Sequence, residues 1–230
     1  TNTFEHDLDA MAKAVTSKTS CILLCSPNNP TGPAIKKEAF LKFINQIPET
    51  ILVVLDEAYT EFVRDAAAVE GLRDAWGKKN VAILRTFSKA YGMAGIRLGI
   101  CYASEEIIRI LNNIKPPYNI NELTQQKALE RLQDSVGVAQ EIEAILSERN
   151  QLAIALKDIS FVEKIYESDA NFILIKVDDA TKRYNELIAK GIVIRNRTTQ
   201  PLCENTLRLT VGTKEENEKL MKVLSLISKS

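Results

Sequence analysis

The chain has 230 residues, with 30 basic and 30 acidic side chains and a formal net charge of zero. Hydrophobic residues make up 45% and charged residues 26%, a globular composition sufficient for one large domain or one and a half ordinary ones. There is no basic surplus to suggest nucleic acid, and no apolar segment approaches the length of a membrane span.

Asp7 to Ser17 has helical spacing, with Leu8, Met11, Ala12 and Val15 on one face. Cys21 to Cys25 is a short apolar run that ends at Ser26-Pro27-Asn28-Asn29-Pro30-Thr31-Gly32-Pro33, where proline and asparagine stop either a strand or a helix. Lys36 to Gln46 is amphipathic and helical. Ile51 to Leu55 is a second apolar run, ending in Asp56-Glu57. Val81 to Leu84 is a third, and Leu98 to Ala103 a fourth. Runs without polar alternation fit strands buried on both faces, as in a mostly parallel sheet covered by helices. The first three are far enough apart for crossover connections.

The character changes further on. Ser104 to Ile114 reads as a helix with a serine at its start, broken by Pro116-Pro117; Glu122 to Leu132 is another, and Val138 to Ile159 a long one. From Phe161 the pattern is α+β. Strands are expected at Val162–Tyr166, Asn171–Val177, Ile192–Arg195 and Thr206–Val211, with helices at Thr181–Lys190 and Lys214–Ile227. The fold class expected is α/β: a mostly parallel sheet with helices on both faces, then a smaller α+β domain. The boundary falls in the long helix, giving domains 1–148 and 149–230.

The four cysteines (Cys21, Cys25, Cys101, Cys203) sit mostly in apolar runs, and the chain has one histidine, His6. That is a poor metal set, so no metal is expected. Reduced core cysteines of a cytoplasmic protein are the simpler reading.

In parallel sheets, ligands bind beyond the carboxyl ends of the strands. Asn29, Asp56 and Lys89 each lie just past such an end, so the topology brings all three to one edge. Lys89, with Thr86 and Ser88 before it and Arg97 after it, has the parts to hold a phosphorylated carbonyl cofactor. Its amine can form a Schiff base, and the hydroxyls and guanidinium can hold a phosphate. Burial near other cations would favour the deprotonated amine. Alone, Lys89 is better read as a surface lysine after a strand, since lysines are common. Asp56 is either a turn residue or a carboxylate awaiting a cation, for which a protonated pyridine nitrogen serves. Tyr59 and Asn29 are placed to reach a phenolic oxygen on such a ring, although Asn29 also suits the turn itself. Glu57 points the other way along an extended chain and reads as structural. Arg208 lies within an apolar strand and Arg195 follows one; each is paired internally or faces a cleft as an anion site. Arg197 reads as solvated. The glycines follow Lys89, so the segment is no Walker loop.

Three ordered segments resemble the class I/II aminotransferase branch of the fold-type I pyridoxal phosphate enzymes. They are Ser26-Pro27-Asn28-Asn29-Pro30-Thr31-Gly32, Asp56-Glu57-Ala58-Tyr59 and Thr86-Phe87-Ser88-Lys89-Ala90-Tyr91-Gly92-Met93-Ala94-Gly95. Within the branch, Lys115-Pro116-Pro117-Tyr118-Asn119, Gly191-Ile192-Val193-Ile194-Arg195 and Leu207-Arg208-Leu209-Thr210-Val211-Gly212-Thr213 are most similar to the histidinol-phosphate aminotransferase group.

The resemblance implies that Lys89 carries pyridoxal 5'-phosphate and shuttles the substrate proton. Asp56 pairs with the ring nitrogen, Tyr59 and Asn29 contact the phenolic oxygen, and Thr86, Ser88 and Arg97 hold the phosphate. Arg208, with Arg195, binds the substrate's phosphate or the carboxylate of glutamate. The reaction implied converts L-histidinol phosphate and 2-oxoglutarate to imidazole acetol phosphate and glutamate in histidine biosynthesis. A cytoplasmic homodimer with small-molecule partners, an amino donor and a 2-oxo acid, is implied with it. Related readings are an aromatic aminotransferase, a threonine-phosphate decarboxylase, or a non-catalytic cofactor-binding or dimerisation domain. Such enzymes carry roughly a hundred or more residues before the first turn, consistent with domain size. Here only 25 precede it, so a fragment with an exposed sheet edge, half a cofactor site and weak or absent activity is expected.

Overall fold

A computed structural model of the chain describes residues 3–63 and 78–229. Its first part is built on β1 (Cys21–Cys25), β2 (Leu52–Asp56), β3 (Val81–Thr86) and β4 (Gly99–Ala103), in that spatial order. The first three are parallel and β4 closes the sheet antiparallel to β3. The register sets Cys25 beside Asp56 and Asp56 beside Leu84. The strands therefore end together, and the segments leaving them emerge at one edge.

Helices α1 (Leu8–Lys13) and α2 (Lys37–Ile44) cover one face of this sheet. Asp7 starts α1 by accepting the Ala10 N–H at 2.9 Å. Phe40, Phe43 and Ile44 of α2 pack with Leu8, Leu24, Val53, Leu55 and Ile83 in one apolar core. The opposite face is open in places, with Leu23 74% exposed and Leu84 37%. Burial along β1 therefore alternates, where the apolar run predicts burial on both faces.

The same open face corrects the cysteine expectation. Cys21 is exposed and Cys25 and Cys101 are half-buried; Cys203 alone of the four is buried. Cys21 and Cys25 share the face of Leu23, and Cys101 lies opposite Leu84.

Helix α3 (Glu105–Ile114) buries none of its residues. Ser104 precedes it, but the Ser104 hydroxyl donates to the Lys79 carbonyl and does not cap the helix. Helices α4 (Glu122–Gln133) and α5 (Ser135–Ala155) follow, started by Asn121 and Asp134.

The second sheet comprises β5 (Val162–Ile165), β6 (Phe172–Val177), β7 (Arg195–Asn196) and β8 (Thr206–Thr210), in spatial order β5-β6-β8-β7, all antiparallel. Helices α6 (Ala180–Ala189) and α7 (Lys214–Ser228) and the end of α5 cover one face, around Leu152, Ile173, Ile175, Leu187, Leu207 and Leu224. A reciprocal capping box of Thr213 and Glu216 starts α7. The strand expected at Ile192–Arg195 is displaced. Gly191 adopts φ +74° after α6, and the Ile192 N–H bonds back to the Leu187 carbonyl, so the ladder begins only at Arg195.

The two sheets meet through Tyr59, Phe62, Ala90, Ala170 and Phe172, with Ile142, Ile145 and Leu146 of α5 against them. Buried Arg149 of α5 donates to the carbonyls of Phe62, at 3.2 Å, and Ala170, at 2.6 Å, fastening the helix to both parts.

Candidate active site

The ends of β2 and β3 open into a cavity of about 370 Å³, lined by Asp56, Arg85, Thr86, Ser88, Lys89 and Arg97 among others. Five of these six are candidate residues read from the sequence. Asp56 is the last residue of β2 and half-buried; its Oδ1 accepts the Ala58 N–H at 2.9 Å. No cation pairs with it among the described residues, so its carboxylate is available to a ligand.

The turn after β3 is held by short-range bonds. Thr86 Oγ1 donates to the Leu98 carbonyl and accepts the Ser88 N–H. Its proton is committed, which leaves Ser88 as the hydroxyl free to donate into the cavity. Lys89 is exposed, in contrast to the buried amine expected, because the face above it is open. Its Nζ lies 5.3 Å from the centre of the Tyr59 ring. Arg97 takes a left-handed conformation, φ +55°, and its Nη1 donates to the Ala94 carbonyl at 2.7 Å. A non-glycine residue there stores about 1 kcal/mol or more, a strain found preferentially at ligand clamps.

The turn after β1 divides its two asparagines. Asn28 serves the turn: its amide donates to Thr31 Oγ1, and its carbonyl accepts the Gly32 N–H. Asn29 faces outward. Its Nδ2 lies 3.4 Å from the Tyr59 hydroxyl, and its Oδ1 accepts Arg208 Nη1 at 2.6 Å. Tyr59 itself is buried and meets Phe172 edge-on, with ring centres 5.3 Å apart. The Arg208 guanidinium lies 4.9 Å from the centre of the Phe172 ring. Asn29 and Tyr59 from the first sheet and Arg208 from the second thus converge.

A clamp holds this turn on the second part of the chain. The Asp169 N–H donates to the Gly32 carbonyl at 2.9 Å, and Asp169 Oδ2 accepts the Ala34 N–H at 3.0 Å. Gly32 adopts φ +105°, and a Cβ there would lie 2.8 Å from Ser168 and 2.9 Å from the Glu167 carbonyl. Glycine is required both by conformation and by the close approach.

Glu57 is structural, as its place in the extended chain implies. It is buried and binds Arg85 Nη2 at 2.8 Å. Arg85, which also lies 4.0 Å from Glu61, is a cavity-lining residue that sequence reasoning missed. The signal was present: Asp56 pairs with Leu84, so the residues one step on, Glu57 and Arg85, emerge side by side. Burial pushes the Glu61 carboxyl above its ordinary value, with the charge of Glu57 adding to the rise and that of Arg85 opposing it.

Arg195 and Arg208 stand directly opposite across β7 and β8. Arg208 is half-buried, and Arg195 is exposed. Burial lowers the Arg208 pKa, and the charge of Arg197 contributes more to that lowering than the charge of Arg195. Arg197 is not solvated as expected: it is half-buried and its Nε is shut away from solvent.

The model of the aminotransferase class I and II family matches residues 1–224. A histidinol-phosphate aminotransferase of Flavobacterium johnsoniae is 53% identical over 228 residues, 99% of this chain and 64% of that protein. The enzyme of the same name from Flavobacterium psychrophilum is 51% identical, over 97% of this chain and 63% of that one. A solved structure, histidinol-phosphate aminotransferase from Sinorhizobium meliloti in complex with pyridoxal-5'-phosphate, superposes with a TM-score of 0.87 at 27% identity. It covers 97% of this chain and 61% of its own. The chain thus spans a little under two thirds of the length of these relatives.

Proposed function

This chain belongs to the aminotransferase class I and II family, and on that premise we propose that it forms the cofactor- and substrate-binding part of a pyridoxal-phosphate-dependent histidinol-phosphate aminotransferase. The observation that carries the reading is the convergence of Asp56, Ser88, Lys89 and Arg97 on one cavity, with Asn29, Tyr59 and Arg208 linked beside it.

The donor set suits pyridoxal phosphate. It holds one amine for a carbonyl, one unpaired carboxylate for a pyridinium, and a hydroxyl and a guanidinium for a phosphate. When bound, this cofactor supplies a ring that accepts the electron pair left on the substrate carbon. The protein's own groups do the rest. Lys89 Nζ would hold the cofactor's carbonyl carbon; once the substrate amine has displaced it there, the freed amine would take the proton from the substrate α-carbon and deliver it to that carbonyl carbon, across the substrate nitrogen. Asp56 presents its carboxylate to the ring nitrogen and keeps it protonated. Ser88, Arg97 and Thr86 hold the phosphate, Thr86 by shaping the turn. Asn29 and Tyr59 offer polar hydrogens to the phenolic oxygen. Arg208, with Arg195, takes the anionic group of the amino donor or 2-oxo acid.

The reading extends to the whole protein. The chain divides at residue 148, into 1–148 and 149–230. In support, the apolar cluster joining the two sheets takes its α5 residues up to Leu146, and the second core begins at Leu152. A homodimer is supported by the exposed apolar side chains Ile110, Ile114, Leu123 and Leu129 of α3 and α4. Four free cysteines suit a cytoplasmic protein.

The test is glutamate formation from 2-oxoglutarate, with L-histidinol phosphate as donor, by the native-length protein. The expected result is turnover that Lys89→Ala abolishes. Carbon dioxide release from threonine phosphate without glutamate formation would replace this reading by the decarboxylase.

A further inference from the structure

Helix α4 buries Thr124 and Ala128 and half-buries Arg131. These positions are four and three residues apart, so they share one face of the helix. Two hydrogen bonds set that face on the loop that carries Lys89 and Arg97. Thr124 Oγ1 donates to the Ile96 carbonyl at 3.2 Å, and Arg131 Nε donates to the Tyr91 carbonyl at 3.1 Å. A helical threonine ordinarily turns its hydroxyl to a carbonyl one turn back. Thr124 instead reaches across to a separate segment.

Each bond fixes a peptide plane beside a candidate site residue. The Ile96 carbonyl shares its plane with the Arg97 N–H, and Arg97 stands in the left-handed region, φ +55°. The far end of its side chain is held by the Ala94 carbonyl. Such a conformation persists where surrounding contacts over-determine it, and Thr124 supplies the contact on the backbone side. The Tyr91 carbonyl shares its plane with the Gly92 N–H, which donates to the Lys89 carbonyl at 3.0 Å. Arg131 thus reaches Lys89 through a single peptide unit. Both holders are themselves tied down. The Thr124 N–H donates to Asn121 Oδ1 at the start of α4. The Arg131 guanidinium commits its other donors to Asp134 and Glu141, and Asp134 also accepts the Gly137 N–H at the start of α5. The junction of α4 and α5 therefore fixes the fork that holds the loop.

We propose that Thr124 and Arg131 are positioning residues for the candidate cofactor site, Thr124 setting the aim of Arg97 at the phosphate and Arg131 the place of Lys89 at the carbonyl. The inference rests on the proposed roles of Arg97 and Lys89, and adds two residues that lie outside the cavity lining. Their effects separate. Without the Thr124 hydroxyl, the Ile96 carbonyl loses its partner and the plane of Arg97 is released, which weakens phosphate recognition and spares the amine. Without Arg131, the turn at Lys89 is released, which weakens capture of any aldehyde.

Pyridoxal phosphate, and pyridoxal without the phosphate, are each titrated against the 230-residue chain, and the group trapped on Lys89 by borohydride is measured. Thr124→Val should lower the preference for the phosphorylated aldehyde about fivefold, the worth of one hydrogen bond, and leave labelling by pyridoxal unchanged. Thr124→Ser should restore the preference. Arg131→Gln should lower labelling by both aldehydes to the same degree. An unchanged preference in Thr124→Val, equal loss of both aldehydes there, or full labelling of Lys89 in Arg131→Gln overturns the proposal. The unsubstituted chain gives a second reading that needs neither variant nor cofactor. Inorganic phosphate should slow hydrogen exchange at the Ile96 and Thr124 amides together; slowing at Ile96 alone, or at neither, overturns the role of Thr124. Failure of these tests with a pyridoxyl group still formed on Lys89 leaves the aminotransferase reading standing. Joint slowing without that group removes the cofactor reading and keeps the positioning of Arg97.

Discussion

The two sheets of this molecule are finished to different degrees. The β5-β6-β8-β7 sheet closes a core on one face with three helices, and its other face is occupied at Phe172 and Leu174. The β1-β2-β3-β4 sheet has a complete core on one face only; Leu23 and Leu84 stand in the open on the other. The candidate cofactor residues belong to the less finished sheet and the arginine face to the more finished one. Arg208 thus stands on a sheet packed on both faces, while Lys89 and Asp56 lie at the end of the sheet that has one open face.

Paired truncations give the largest contrast. Leu207 is fully buried in the second sheet, so Leu207→Ala should cost about 2–5 kcal/mol in urea unfolding. Leu23→Ala, on the open face, should change stability by less than about 0.5 kcal/mol. A loss at Leu23 comparable to that at Leu207 would mean that the open face is covered in solution.

The clamp between the sheets gives a smaller effect. Asp169→Ala removes the acceptor of the Ala34 N–H and should cost about 1 kcal/mol, with faster hydrogen exchange at Ala34. Asp169→Asn keeps an acceptor oxygen and should restore most of the protection. Equal loss in both variants would show that the charge, rather than the bond, holds the turn.

The smallest effect is electrostatic. The Glu61 carboxyl has a raised pKa in the folded protein, so folding favours its protonated form. That contribution is complete below the ordinary glutamate value and is lost as pH rises through the raised one. Glu61→Gln should flatten this fall in urea melts between mildly acidic and neutral pH. A steeper fall in the variant would mean that Arg85 outweighs burial at this site.

Much of this was legible in the sequence because strand ends are local signals. The runs ending at Cys25, Leu55 and Leu84 located Asn29, Asp56 and Lys89 at one edge, and parallel pairing brought them together. What escaped depended on partners distant in the chain. Asn28 and Asn29 are chemically alike in sequence; only the approach of Tyr59 and Arg208 separates their roles. Thr86 reads as a free hydroxyl until Leu98 is seen to take its proton. Arg197 reads as solvated because it lies beyond the expected strand Ile192–Arg195, while the ladder in fact starts at Arg195 and carries Arg197 onto the face of Arg208, opposite the core of Leu207 and Leu209. The contact of Gly32 with Ser168 joins residues far apart in the chain and leaves no local trace.

Lys89 as the residue that holds pyridoxal phosphate is the premise on which the proposed function stands. It is tested most directly by incubating the chain with the cofactor, reducing with borohydride, and mapping the modified peptides. The account predicts a pyridoxyl group concentrated on Lys89 and lost in Lys89→Ala. Label spread evenly over exposed lysines, or absent at saturating cofactor, would contradict it.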